Sequence, residues 1–119
     1  MTGALLVALG AAVGAPARYL VDRAVQRRLG PPWGTVVVNV AGSFLLGALI
    51  VLTGGRGGWH LLLGTGLCGA LTTWSTFAYE TARRTESGEP ARATVEALVG
   101  ITAGVLAAAL GVLAARGIT

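Results

Sequence analysis

Four apolar stretches, residues 4–21, 33–52, 59–81 and 91–113, occupy most of this 119-residue chain. Each is long enough to cross a hydrocarbon layer about 30 Å thick as a helix. Only short connections remain: "DRAVQRRLGPP", "TGGRGG" and "RRTESGEP", in which Gly and Pro mark the ends. With 54% hydrophobic and 12% charged residues, the chain lies outside the range of soluble domains of its size. The spacing and composition therefore predict an all-α membrane protein, residues 1–119 forming one four-span domain. The apolar start has no Lys or Arg before it and further spans behind it, so it reads as a retained first helix rather than a cleaved leader.

All nine basic residues are Arg, placed mainly between the apolar stretches, which suits loop charges that set orientation better than a nucleic-acid surface. Arg23, Arg27, Arg28, Arg83, Arg84 and Arg92 lie in the first and third connections, against Arg56 and Arg116 on the opposite side. By the positive-inside rule this bias puts both termini outside. Trp33 and Trp59 stand where interfacial aromatics belong, and His60 reads as their neighbour. Small residues four apart, Gly10 and Gly14, Ser43 and Gly47, Gly100 and Gly104, have the spacing of close helix crossings. Cys68 reads as a small core residue.

Polar positions within the spans are few, and lipid makes each expensive. Thr35, Asn39 and Ser43, four apart, form one stripe that is either an interhelical hydrogen-bond seam or a pore lining. The third span holds "GALTTWSTF", residues 69–77, whose hydroxyls and glycine suit a local helix break. Backbone freed at that depth must be buried in protein or line a cavity, and its carbonyls can coordinate a cation. Trp74 and Phe77 share a face there, with ring edges that carry partial positive charge. Arg18 and Asp22 end the first span, where they snorkel, pair with each other, or supply positive potential at a vestibule. Glu80 is expected to pair with Arg83 or Arg84, and Glu96 to be an interfacial carboxylate. No nucleophile with its base, no Cys and His cluster and no phosphate-cradling loop is present, so the sequence does not read as an enzyme.

Three segments in this order, "GAAVGAPARY", "PWGTVVVNVAGSFLLG" and "GTGLCGALTTWSTFAYET", resemble the Fluc (CrcB) family of bacterial fluoride channels, and the resemblance covers nearly the whole chain. It implies an antiparallel dual-topology dimer of four-helix subunits in the inner (plasma) membrane, the third helix broken mid-span, with two pores along the subunit interface. The implied function is passive, fluoride-specific export that lowers cellular fluoride and its toxicity. Asn39, Trp74 and Phe77 match the family's pore residues, with Ser75 and Thr76 assisting. The backbone carbonyls of Gly69 and Thr72 match those that hold a structural, untransported sodium ion. Arg18 matches the family's arginine at the end of span one. The sequence departs from the pattern at Trp74, where the family has Phe, and at Glu96 and Gly100, where it has polar pore residues in span four. These departures and the arginine bias suggest an alternative, a non-conducting subunit that needs a paralogous partner of opposite orientation. A small multidrug exporter is a second alternative, although that mechanism wants a carboxylate within span one and none precedes Asp22.

Overall fold

A computed structural model of the chain describes residues 2–30, 33–72 and 74–118; the side chains of residues 73–77 lie outside the described set. The described residues are helical apart from short turns. Helix α1 is Thr2–Leu29, α2 is Trp33–Thr53, α3 is His60–Leu71, α4 is Trp74–Glu86 and α5 is Pro90–Ile118. Three of these, α1, α2 and α5, are long and apolar enough to cross a membrane. The remaining apolar stretch is divided between α3 and α4. Residues His60–Cys68 are wound as a π-helix, the final turn to Leu71 is α-helical, and Thr72 is extended at φ −83° and ψ 156°.

The helices outrun the apolar stretches that the sequence marks out. Residues 22–29, expected as connection, continue α1 for about 12 Å beyond Val21. Hydropathy reports where lipid is tolerated, whereas a helix runs on until a breaker, and the first one past Val21 is Gly30. At φ +77° Gly30 turns the chain and returns its N–H to the Gln26 carbonyl at 2.9 Å. A similar glycine, Gly88 at φ +85°, closes α4: Gly88 N–H meets the Thr85 carbonyl and Glu89 N–H the Arg84 carbonyl, both at 3.2 Å. The third connection is thereby reduced to residues 87–89.

Burial is inverted relative to a water-soluble bundle. Val38, Leu49, Cys68, Ala93, Ala107 and Ala115 are the buried apolar residues, while Leu9, Val13, Leu98, Val105 and Leu110 are exposed. With lipid outside, large apolar side chains lose nothing by facing outward, and helix association falls to close van der Waals contact at small residues.

Glycines set that contact. A methyl group built on Gly10 of α1 would collide with the Leu62 carbonyl of α3, and one on Gly14 would lie 2.5 Å from the Leu67 carbonyl. Gly66 reciprocates at 2.7 Å from the Val7 carbonyl. Between α2 and α5, added methyls on Gly47 and Gly111 would strike the carbonyls of Ala108 and Phe44. Of the three small-residue pairs that the sequence singles out, Gly10 with Gly14 and the Gly47 member of the second make such approaches. Gly104 does not, its nearest neighbour being Ser43 Oγ at 3.7 Å.

Gly111→Val should therefore lower unfolding stability in detergent by about 2 kcal/mol or more, because a backbone carbonyl has to yield. Gly104→Ala should stay within about 0.5 kcal/mol of the parent. Denaturant titration of the two variants, followed by circular dichroism, compares them directly.

Candidate functional site: a polar groove between α2 and α5

The stripe on α2 divides between two surroundings. Thr35, 1% exposed, donates its hydroxyl to Glu80 Oε1 of α4 at 2.9 Å. One and two turns further on, Asn39 and Ser43 line a groove of about 430 Å³ with Gly42, Leu46 and Thr72 on one side and Gly100, Ile101, Gly104, Val105 and Ala108 of α5 on the other. The groove lies open along its outer side. Asn39, Ser43 and Thr72 are its polar side chains, and the rest of the wall is apolar or backbone.

Thr72 is placed by the interruption between α3 and α4. Its N–H and its hydroxyl both donate to the Cys68 carbonyl, each at 3.0 Å, and its methyl lies against Gly42, where an added Cβ would strike it. Gly42 is thus small because Thr72 occupies the space. Since Thr72 itself is extended, its own carbonyl is turned out of the helical ladder. Gly69 is exposed, and a Cβ built there meets nothing within 4 Å.

The side chains of Trp74, Ser75, Thr76 and Phe77, the expected pore-lining residues of the third span, lie outside the described residues; their backbone forms the first turn of α4. Arg18 is half-buried on α1, one turn before Asp22. Asp22 Oδ1 accepts from Gln26 Nε2 at 3.1 Å and faces α2 so closely that a methyl on Gly34 would strike it. The carboxylate therefore sits at the positive end of α2, a favourable place for an anion.

Two readings of charge change with the structure in view. Glu80 receives a hydroxyl from α2, a partner 45 residues away that helical spacing does not reveal. Glu96 is held by Arg84 at 3.2 Å and Arg92 at 3.2 Å, and the same arginines reach Glu89 at 3.2 and 3.9 Å. The hydrogen bond that Arg84 donates to the Glu89 carboxylate pushes its guanidinium further toward the charged form. This four-membered network pins α4 to α5 at their connection, whereas Gly100, one turn along, lines the groove. His60, expected at the interface, lies with its ring 3.0 Å from where a Cβ of Gly64 would be and its Nδ1 3.5 Å from Thr53 Oγ1.

The family model described as CrcB-like protein, Camphor Resistance (CrcB), matches residues 5–112. The protein named fluoride-specific ion channel FluC 1 of Streptomyces avermitilis is 52% identical over 113 residues, covering 91% of each chain. Its namesake in Frankia casuarinae is 49% identical over 125 residues, covering 96% of each chain. The fluoride-specific ion channel FluC of a Ruegeria species is 43% identical over 121 residues, 96% of this chain and 94% of its own.

Thr35→Val keeps the shape but removes the hydroxyl that Glu80 accepts, and it should cost about 1–3 kcal/mol of unfolding stability. Thr35→Ser should recover most of that loss in the same titration.

Proposed function

The chain belongs to the CrcB-like family, which is a family of fluoride channels and not of enzymes, and on that premise we propose that it conducts fluoride passively out of the cell across the inner (plasma) membrane. Hydrogen fluoride crosses membranes as a neutral molecule and dissociates inside, so a channel for the anion lowers internal fluoride without an energy source. The observation that carries this reading is the α2–α5 groove, in which the Asn39 amide is set among apolar walls. An amide N–H can replace water around a small anion, while the dry walls offer nothing to bulk solvent.

In this reading the chain crosses the membrane four times as one domain, and the third crossing runs through α3 and α4 with its break at Thr72. The groove is half of a pore, closed by a second subunit of opposite orientation. Asn39, Trp74 and Phe77 line the path with Ser75 and Thr76, and Arg18 lends positive potential near one mouth. A structural sodium ion, bound but not transported, would be held by the carbonyls of Gly69 and Thr72. The donor chemistry supports this: a hard cation prefers carbonyl oxygens, the Thr72 carbonyl has left the ladder, and α3 ends two residues beyond Gly69. Two carbonyls are too few to replace a hydration shell, so the second subunit would supply the remainder.

Loop charge bears on whether that second subunit is another copy or a paralogue. Arg84 and Arg92 are engaged by carboxylates, but Arg23, Arg27, Arg28 and Arg83 form no salt bridge among the described residues. That excess on one side favours a single orientation. A paralogous partner inserted the other way is therefore the second reading. The exporter alternative is not carried further, because Asp22 is committed to Gln26 and the start of α2.

Liposomes holding this chain alone, with sodium present, should release fluoride and retain chloride when followed with ion-selective electrodes. Asn39→Leu should slow that release by about tenfold or more, the worth of a hydrogen bond to an ion. Release only after a paralogue is co-reconstituted would select the paralogous dimer. No fluoride release in either preparation would reject conduction.

A further inference from the structure

The outer face of the end of α1 carries charge that no salt bridge engages among the described residues. Tyr19, Arg23 and Arg27 are four apart and all exposed, so they form one stripe where α1 leaves the apolar span. The Arg23 guanidinium lies over the Tyr19 ring, 5.7 Å from its centroid. That cation–π contact fixes a permanent positive charge one turn beyond an aromatic ring that is 57% exposed. Trp33, 43% exposed at the start of α2, belongs to the same end of the bundle, because Asp22 packs against Gly34 beside it. Tyr and Trp in such positions settle at the depth of lipid headgroups, which puts Arg23 at the level of the phosphates and Arg27 just above them.

All five carboxylates of the chain belong to this end of the bundle, yet four are occupied. Asp22 faces α2 and Gln26, Glu80 takes the Thr35 hydroxyl, and Glu89 and Glu96 hold Arg84 and Arg92. The fifth, Glu86, ends α4 rather than α1. The α1 stripe thus presents two arginines and a phenol outward, with the nearest acid in sequence, Asp22, turned inward.

We propose that the Tyr19–Arg23–Arg27 stripe binds the headgroup of an anionic phospholipid. The guanidinium groups match phosphate oxygens in charge and fork geometry, and the phenol hydroxyl can donate to the same group. The site is separate from the groove, so it concerns anchoring of the bundle in the bilayer and not the conduction path.

Its test does not depend on conduction. The purified full chain in neutral detergent is titrated with phosphatidylglycerol or phosphatidylcholine, and retained lipid is counted by native mass spectrometry. Phosphatidylglycerol should be retained at concentrations about tenfold lower than phosphatidylcholine, with Arg23→Gln/Arg27→Gln removing most of that preference. Tyr19→Leu should remove part of it, and Arg56→Gln, in the connection at the opposite end, should leave it within twofold. Equal retention of the two lipids by the parent chain, or a preference that survives the double substitution, would overturn the proposal. So would displacement of phosphatidylglycerol by millimolar glycerol 3-phosphate, which would mark a site for free anions.

Discussion

Contact between a glycine on one helix and a backbone carbonyl on its neighbour is the interaction on which this bundle depends. Lipid tails are as apolar as leucine, so burying a large side chain between helices gains little, and what remains is dispersion at short range. Gly10, Gly14 and Gly66 bring α1 onto α3, and Gly47 and Gly111 bring α2 onto α5. The consequence reaches the polar groups. With α2 and α5 joined through Gly47, Gly111 and their carbonyl partners, the helix faces toward Asn39 and Gly100 separate enough to leave a groove between them. A bundle held by interdigitated leucines would have filled that space.

The sequence reveals the large features of this arrangement because lipid imposes them. Residues 4–21, 33–52 and 91–113 fall within helices long enough to cross, and the family resemblance seen in the three motifs is the family that the comparisons identify. What it conceals is of two kinds. One is where helices stop, since residues 22–29 are polar yet contain no breaker before Gly30. The other is contact across large separations. Periodicity places Thr35, Asn39 and Ser43 on one face, but it cannot tell that Thr35 is sealed against Glu80 while Asn39 and Ser43 open on the groove. The seam reading holds at Thr35, while Asn39 and Ser43 face the groove one and two turns further on. Likewise Gly111 stands in a small-residue series with Ala107 and Ala115, but so alanine-rich a helix offers several such series, and spacing alone does not pick out the one that makes among the closest approaches in the molecule.

The interruption at Thr72 shows why hydroxyl residues gather where the apolar stretch divides. An extended residue inside a membrane leaves backbone groups that need partners, and the Thr72 side chain returns to the Cys68 carbonyl while its methyl fills the notch over Gly42. One residue thus helps to end α3, fastens the end to α2 and contributes a polar wall to the groove. Valine in its place would keep the methyl contact and lose the hydroxyl. Serine would do the reverse. Threonine answers both demands, a local reason for that residue type that does not depend on what passes through the groove.

The two uses of arginine at one end of the bundle also bear on how a complete pore can form. Arg84 and Arg92 are neutralised in place by Glu89 and Glu96, which costs little because the side chains stay partly in water, and the network fastens the α4–α5 connection. Arg23, Arg27, Arg28 and Arg83 form no salt bridge among the described residues, and they outnumber Arg56 and Arg116 at the other end. Carboxylates contribute little to orientation, so the bias survives even though all five acids lie on the arginine-rich side. The proposed pair of oppositely inserted subunits would then be asked of a chain whose loop charge favours one insertion. Either half the copies insert against their loop charge, or the opposite half of the pore is another chain. The proposed lipid contact at Tyr19, Arg23 and Arg27 would deepen that preference wherever the two leaflets differ in anionic lipid, and so raise the cost of the oppositely inserted copy in the proposed dimer.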